Sequence, residues 1–456
     1  MRMPTTGGNG NDVIRILDGL LSARLVWSVV RWQIAIDDIL LNGLTIFLFP
    51  VLELIAIAYC YMRTDRRLIM PYVLLPTAFH AYMIVRHCFS RDIMNHGASD
   101  IYTLMFCLVC LLPLSKDELL DRIYVFCTTM LCISLFSGLA SYVKLLATEH
   151  TIIIAQGIRY AGIFQNPNTF AHVVAYGFAF GVGSFLLRPG NRSIWVLLCC
   201  DLVVLVKVLL DSQSRASMLF TALACTGIGI AFLISWRRIL PRRQSRAVLL
   251  LIMAAVLVML VLCILFIASS NFRNAVLDVI RVPYNQGDSL SRVFESIVES
   301  FEGASRRDVL REITYMHWQD SPLFGTKASS IVEDFPERID ENTGSHNSFL
   351  QILATLGIVG LVLFAFMTAV SLICLAWTVC RSDDRRLRTI ASFMSVMVVA
   401  MMVDSCYENL LYMSLAPMVM AWYFIITTAY QLKSAGTAED REAICRLKSR
   451  ERTERK

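Results

Sequence analysis

Ser345-His346-Asn347-Ser348-Phe349-Leu350-Gln351-Ile352-Leu353-Ala354-Thr355-Leu356-Gly357-Ile358-Val359-Gly360-Leu361 decides how this chain is read. A polar segment of 75 residues, 271–345, ends at its first residue, and an apolar run that continues to residue 379 begins within its first turn. A histidine and an asparagine therefore stand at the lip of an apolar helix. In a mostly membrane-buried protein few positions can do water-side chemistry, and this junction is one of them.

Composition supports that frame. The 456 residues are 56% hydrophobic and 17% charged, with mean hydropathy +0.59. Apolar runs of about 20 residues recur along the chain, the length that crosses a bilayer as a helix. The expected fold is an all-α polytopic membrane protein. Spans are placed near 39–61, 69–88, 99–114, 123–146, 166–187, 194–211, 216–235, 247–269, 348–379, 389–405 and 410–431, eleven in all, with ten to twelve as the working range.

Alternate short connections carry sixteen Lys/Arg on one side (62–68, 115–122, 188–193, 236–246, 381–388) and three on the other (89–98, 147–165, 212–215, 406–409). Cationic loops stay in the cytoplasm, so the polar segment 271–345 is expected to face outward. The same rule explains the formal charge of +6 without a nucleic-acid partner. Segment by segment, the chain reads as a polar and amphipathic N-terminal segment (1–38), eight spans (39–270), an extracytoplasmic cap (271–345), three spans (346–431) and a basic cytoplasmic tail (432–456). Arg15, Asp18, Arg24 and Arg31 among apolar residues suit an interfacial helix better than a cleaved signal. Eleven crossings would put the N-terminus on the outer side.

The cap itself shows helical spacing at Leu290, Val293, Phe294, Ile297, Val298 and Phe301. A second helix is expected from Ser305 to about Gln319, stopped by Asp320-Ser321-Pro322. No repeat of 20 to 50 residues is present. The fourteen cysteines lie almost entirely in apolar runs and none in the cap, so neither a disulfide framework nor a metal site is implied. Glycine-rich phosphate loops, zinc-ligand clusters and Asp-x-Asp pairs in the cap are absent too.

Four constellations remain. Ser212-Gln213-Ser214-Arg215 puts an arginine at the end of a span, where an interfacial anchor is the plainer explanation. Ser305-Arg306-Arg307 through Arg311, closed by Pro322-Leu323-Phe324-Gly325, is a basic helix in a cap with 8 Lys/Arg against 13 Asp/Glu. A solvated helix face would account for it equally. His346-Asn347 opens a helix, and histidine is the residue type suited to proton transfer near neutral pH, although capping also suits the pair. Gly162-Ile163-Phe164-Gln165-Asn166-Pro167-Asn168, with His172 a turn later, is also a turn and helix-start signal. Glu53, His80, Asp201 and Lys207 lie within spans and must face the bundle interior or water; a transporter's ion relay could use such groups.

In this order, with the long segment between the last two, the motifs resemble the O-antigen ligase and polymerase family. The resemblance covers roughly residues 160–365 by motif, with Arg311 where the family often has tryptophan. It implies an architecture like the GT-C-type O-antigen ligases and an inverting, metal-independent glycosyltransferase with no cofactor. It implies a glycan donor on undecaprenyl diphosphate, and a glycan or lipid-linked acceptor, used at the outer face of the cytoplasmic membrane amid its lipids. On that resemblance His346, Arg215 and Arg307 are the candidate catalytic residues, and Arg306, Arg311, Asn347, Asn166 and Asn168 the candidate binding residues. Ligation and repeat-unit polymerisation share these motifs, and a flippase of lipid-linked glycans is the alternative of another class.

Overall fold

The computed structural model describes residues 9–33, 48–58, 70–89, 98–112, 114–142, 151–154, 157–164, 166–212, 214–236, 306–334, 345–408 and 417–454. The described helices are α1 (Asn9–Gln33), α2 (Leu48–Ala58), α3 (Met70–Phe89), α4 (Ala98–Cys110), α5 (Lys116–Tyr142), α6 (Pro167–Leu187), α7 (Arg192–Ser212), α8 (Arg215–Trp236), α9 (Arg306–Asp320), α10 (Ala328–Glu333), α11 (Ser348–Arg381), α12 (Arg385–Asp404) and α13 (Pro417–Glu454). Among the described residues, α5, α6, α7, α11 and α12 are long and apolar enough to cross a membrane. α2 and the stretch Ala216–Ile230 within α8 are shorter apolar helices. This is a multi-pass helical membrane protein. The expected span at 247–269 and the expected helix at 290–301 lie outside the described residues.

One element adds to the all-helical expectation. β1 (Thr151–Ile154) pairs antiparallel with β2 (Gly157–Tyr160), Thr151 opposite Tyr160. The run Thr151-Ile152-Ile153-Ile154 is β-branched throughout, which favours a pleated strand over a helix.

Local signals explain where the helices start. Asn166 accepts from the Asn168 amide at 2.8 Å and Pro167 occupies the first turn of α6. Asn347 accepts from the Leu350 amide at 3.0 Å to cap α11. Asp384 caps α12 through the amides of Arg386 and Leu387.

Hydrogen bonds across the bundle fix the helix directions. Lys116 at the start of α5 reaches Asp384 at the start of α12 (2.9 Å), and Arg188, just after α6, reaches Asp121 on α5 (2.7 Å). At the other end Tyr142 donates to Asp211 at 2.9 Å, joining the last turns of α5 and α7. The beginnings of α6, α8 and α11 and the ends of α5, α7 and α12 therefore share one end of the bundle.

The N-terminal segment departs from its expectation. α1 does not lie along an interface: Leu17, Leu21 and Leu25 are buried, and Arg24, 0% exposed, pairs with Glu53 of α2. Asp18 accepts from Arg122 of α5 at 2.7 Å, and Ser22 meets Thr129 at 3.1 Å, so α1 runs parallel to α5. Its N-terminal end therefore points the same way as the start of α5. The physical reason is that two of the charges that suggested an interface, Asp18 and Arg24, each have an opposite charge waiting on another helix.

The expected second cap helix is α9, and it packs on α11: Leu310, Ile331 and Ala354 form a small core with Ile313 and Trp318 beside it. The turn after α9 locks onto a break in α11. Gly357 has φ +68, breaking the helix, and Gly325 has φ +76. A Cβ on Gly357 would lie 2.2 Å from the Leu323 carbonyl oxygen, and one on Gly325 2.3 Å from the Thr355 carbonyl carbon. Only glycine permits both the backbone conformation and the approach. The Thr326 amide donates to the Ala354 carbonyl at 2.7 Å and the Ile358 amide to Pro322 at 2.9 Å, using backbone groups that the break releases. From α3, Arg86 donates to the carbonyls of Phe324 and Gly325, and Tyr82 to that of Leu356.

Candidate functional site

The junction of polar segment and apolar helix meets the start of α6 and the end of α12. His346 precedes α11 with φ +50, a left-handed conformation uncommon outside glycine. The turn around it is tied down on both sides. The Ser345 amide donates to the Gln351 side chain at 3.2 Å, and the Ser345 hydroxyl to the Asn347 carbonyl at 2.9 Å. The Ser348 amide donates to the Ser405 carbonyl at 2.8 Å and its hydroxyl to the Glu408 carbonyl at 2.9 Å, joining α11 to the turn that follows α12.

His346 Nδ1 lies 2.9 Å from Glu408 Oε2, with the two side chains 17% and 9% exposed. The other carboxylate oxygen of Glu408 accepts from Asn168 Nδ2 at 3.1 Å. One turn deeper a second histidine and carboxylate meet. His172 Nε2 is 3.1 Å from Asp404 Oδ1, the Tyr176 hydroxyl donates to Asp404 Oδ2 at 3.0 Å, and His172 Nδ1 lies 2.6 Å from the Asn168 carbonyl. Asn168 and His172 are four apart on α6, and Asp404 and Glu408 are four apart at the end of α12. Equal spacing on two adjacent elements stacks the two pairs.

Sequence reasoning singled out His346, Asn168 and the turn before α6, and these do come together. It missed Glu408, because 406–409 entered only as a connection poor in cations, and Asp404, which was absorbed into the expected span 389–405. The available signal was an acidic pair at i, i+4 closing an apolar span, where uncompensated charge is costly. Asn166 and Asn347 are accounted for locally, since each uses its side-chain oxygen as a helix cap.

The basic helix also reaches this end. Arg311 donates to the Cys406 carbonyl at 3.3 Å, two residues from Glu408. The face of α9 directed at α11 includes the buried Leu310 and Thr314. Arg215 opens α8, three residues after α7 ends at Ser212. The side chains of Arg215, Arg306 and Arg307 lie outside the described ones. Ser214 and Ser217 in the same turn are buried and 2.9 Å apart.

The charges inside the expected spans have mundane partners. Glu53 pairs with Arg24, Asp201 accepts from Ser134 at 2.7 Å, His80 Nδ1 lies 2.7 Å from the Pro76 carbonyl, and Lys207 pairs with Asp211. No continuous relay connects the four by these bonds.

Five described helices long and apolar enough to cross a membrane, with a histidine–carboxylate pair at one end of the bundle, define a multi-pass membrane protein with a candidate polar site at that end. Residues 201–365 match the family model described as O-antigen ligase. No curated protein matches the chain. The matched segment includes Arg215, Arg307 and His346; Asn168 and Glu408 fall on either side of it.

Proposed function

We propose that this protein is an integral-membrane glycosyltransferase of surface polysaccharide assembly. It takes a glycan from undecaprenyl diphosphate and passes it to an acceptor hydroxyl, with inversion at the anomeric carbon, at the extracytoplasmic face of the cytoplasmic membrane. The observation that carries this reading is the convergence, within and around an O-antigen ligase domain, of His346 with α6, α9 and the end of α12.

The chemistry follows from charge. As the acceptor oxygen attacks the anomeric carbon, the sugar–phosphate bond breaks and its electron pair goes to the diphosphate, which gains about one negative charge. Guanidinium groups held near it stabilise the transition state more than the bound donor. Arg215 and Arg307 take this role, with Arg311 and Arg306 beside them; arginine binds phosphate oxygens as a planar fork and stays charged at working pH. These cations do the work of a divalent metal, so a chelator leaves transfer unchanged. His346 accepts the acceptor's proton.

The test is transfer from a purified lipid-linked donor by protein in detergent, where no barrier exists and simple transport gives no product. Alanine at Arg215, Arg307 or His346 removes most of the activity, and lysine rescues neither arginine well. Near-normal product from all three alanine variants at matched protein amounts would sink the assignment. Ligation and polymerisation are distinguished by supplying, in turn, a lipid A core acceptor and a second lipid-linked repeat.

A further inference from the structure

We propose that Glu408 is the positioning residue for His346, selecting the ring tautomer that accepts the proton, and that Asn168 fixes Glu408 in turn. This rests on His346 acting as the base. Three observations carry it. His346 occupies a left-handed backbone conformation, which a histidine adopts when its surroundings impose it. Its Nδ1 faces a mostly buried carboxylate at 2.9 Å. Asn168 holds the second oxygen of that carboxylate, and the backbone of Glu408 is fixed by the Ser348 hydroxyl on its carbonyl and by its own amide on the Asp404 carbonyl at 3.1 Å.

A carboxylate only accepts, so Nδ1 carries the proton and the lone pair is left on Nε2. When the acceptor's O–H bond breaks, its proton goes to Nε2. Nδ1–H stays on Glu408, and the imidazolium that forms sits against a negative charge. The acceptor oxygen bonds to the anomeric carbon and the leaving electron pair ends on the diphosphate. Glu408 never touches substrate in this scheme; it orients the ring and stabilises its charged form, as the carboxylate of a serine-protease triad does for its histidine.

The geometry also explains why three separated segments are needed. Asn168 belongs to the start of α6, His346 to the start of α11 and Glu408 to the turn beyond α12. The buried His172–Asp404–Tyr176 set ties α6 to α12 one turn below, which keeps Asn168 opposite Glu408.

The test uses the full-length protein in detergent with the lipid-linked donor. Glu408→Gln keeps the shape, but its amide can donate to Nδ1 and favour the wrong tautomer. The expected result is a fall in kcat of roughly 10- to 1,000-fold with donor KM within about twofold, less than the loss at His346→Ala. Glu408→Asp recovers part of it. In a His346→Ala background, Glu408→Gln lowers activity no further, because residues acting as one unit are not additive. Asn168→Ala, expected to cost kcat several-fold with the same silence in that background, serves if Glu408→Gln unfolds. Near wild-type kcat for Glu408→Gln with His346→Ala inactive overturns the positioning role alone. An equal further loss in the His346→Ala background assigns Glu408 to structure and overturns it too. Near wild-type activity of His346→Ala overturns the catalytic reading beneath.

Discussion

The two ends of the bundle use the same residue types in opposite ways. At the end where α5 and α12 begin, acids meet cations in water: Arg188 and Asp121 are 49% and 65% exposed, and Arg386 stands 3.5 Å from Asp117. At the other end, Glu408 and Asp404 are buried or nearly so, and their described partners are imidazoles, an amide and a phenol. Exposed pairs contribute about 0–1 kcal/mol and serve mainly to pin connections. Carboxylates withdrawn from water and aimed at ring nitrogens instead set proton positions. The difference teaches that solvent exposure, more than residue identity, separates an anchoring end from the end of the proposed chemistry.

The sharpest way to break the contrast is at the reactive end, where His346→Ala is expected to cost about 100- to 10,000-fold in transfer with an unchanged thermal midpoint. A loss of stability with little loss of activity would make the two ends alike. A third region, the buried pair of Arg24 and Glu53, tests charge burial without chemistry. Arg24→Met leaves a lone acid and is expected to destabilise by about 3–5 kcal/mol, whereas Arg24→Met with Glu53→Leu restores stability and leaves transfer intact. Thermal unfolding in detergent reads both, and an inactive but stable double variant would give the pair a functional role.

Gly357→Ala is expected to cost about 1–3 kcal/mol from the backbone conformation alone, and to release the turn at Leu323 from α11. Protease sensitivity of α9 and α10 should rise in parallel. The smallest effect belongs to the anchoring end. Burial would raise the Asp384 carboxyl, but hydrogen bonds from Lys116 and from the amides of Leu387 and Arg386 outweigh it and hold the group below the usual carboxylate range. Its contribution is therefore present above about pH 4 and is lost as pH falls through the lower folded value. Asp384→Ala should cost about 1 kcal/mol near neutral pH, and the gap should narrow in acid.

Much of the fold was legible because helix starts are local. Asn166-Pro167-Asn168, Asn347 before its apolar run, and Asp320-Ser321-Pro322 each state a boundary within a few residues, and the helices begin or end there. The site was half legible. His346 and Asn168 stood out by type and position, but Glu408 is 62 residues from His346 and 240 from Asn168. No window along the chain contains such a triplet. The pairing of Pro322-Leu323-Phe324-Gly325 with Gly357 was hidden for the same reason: each glycine reads as a turn alone, and only docking shows that each leaves room for the other's backbone.

The sequence by itself determined an apolar bundle with polar ends and the positions of most of the described helices, since hydropathy and capping are sums over neighbouring residues. The tertiary structure decided which acid faces His346, where the charges of α1 go, and which face of α9 turns inward. Those depend on how distant helices close on one another, where burial makes a charge costly until a specific partner meets it.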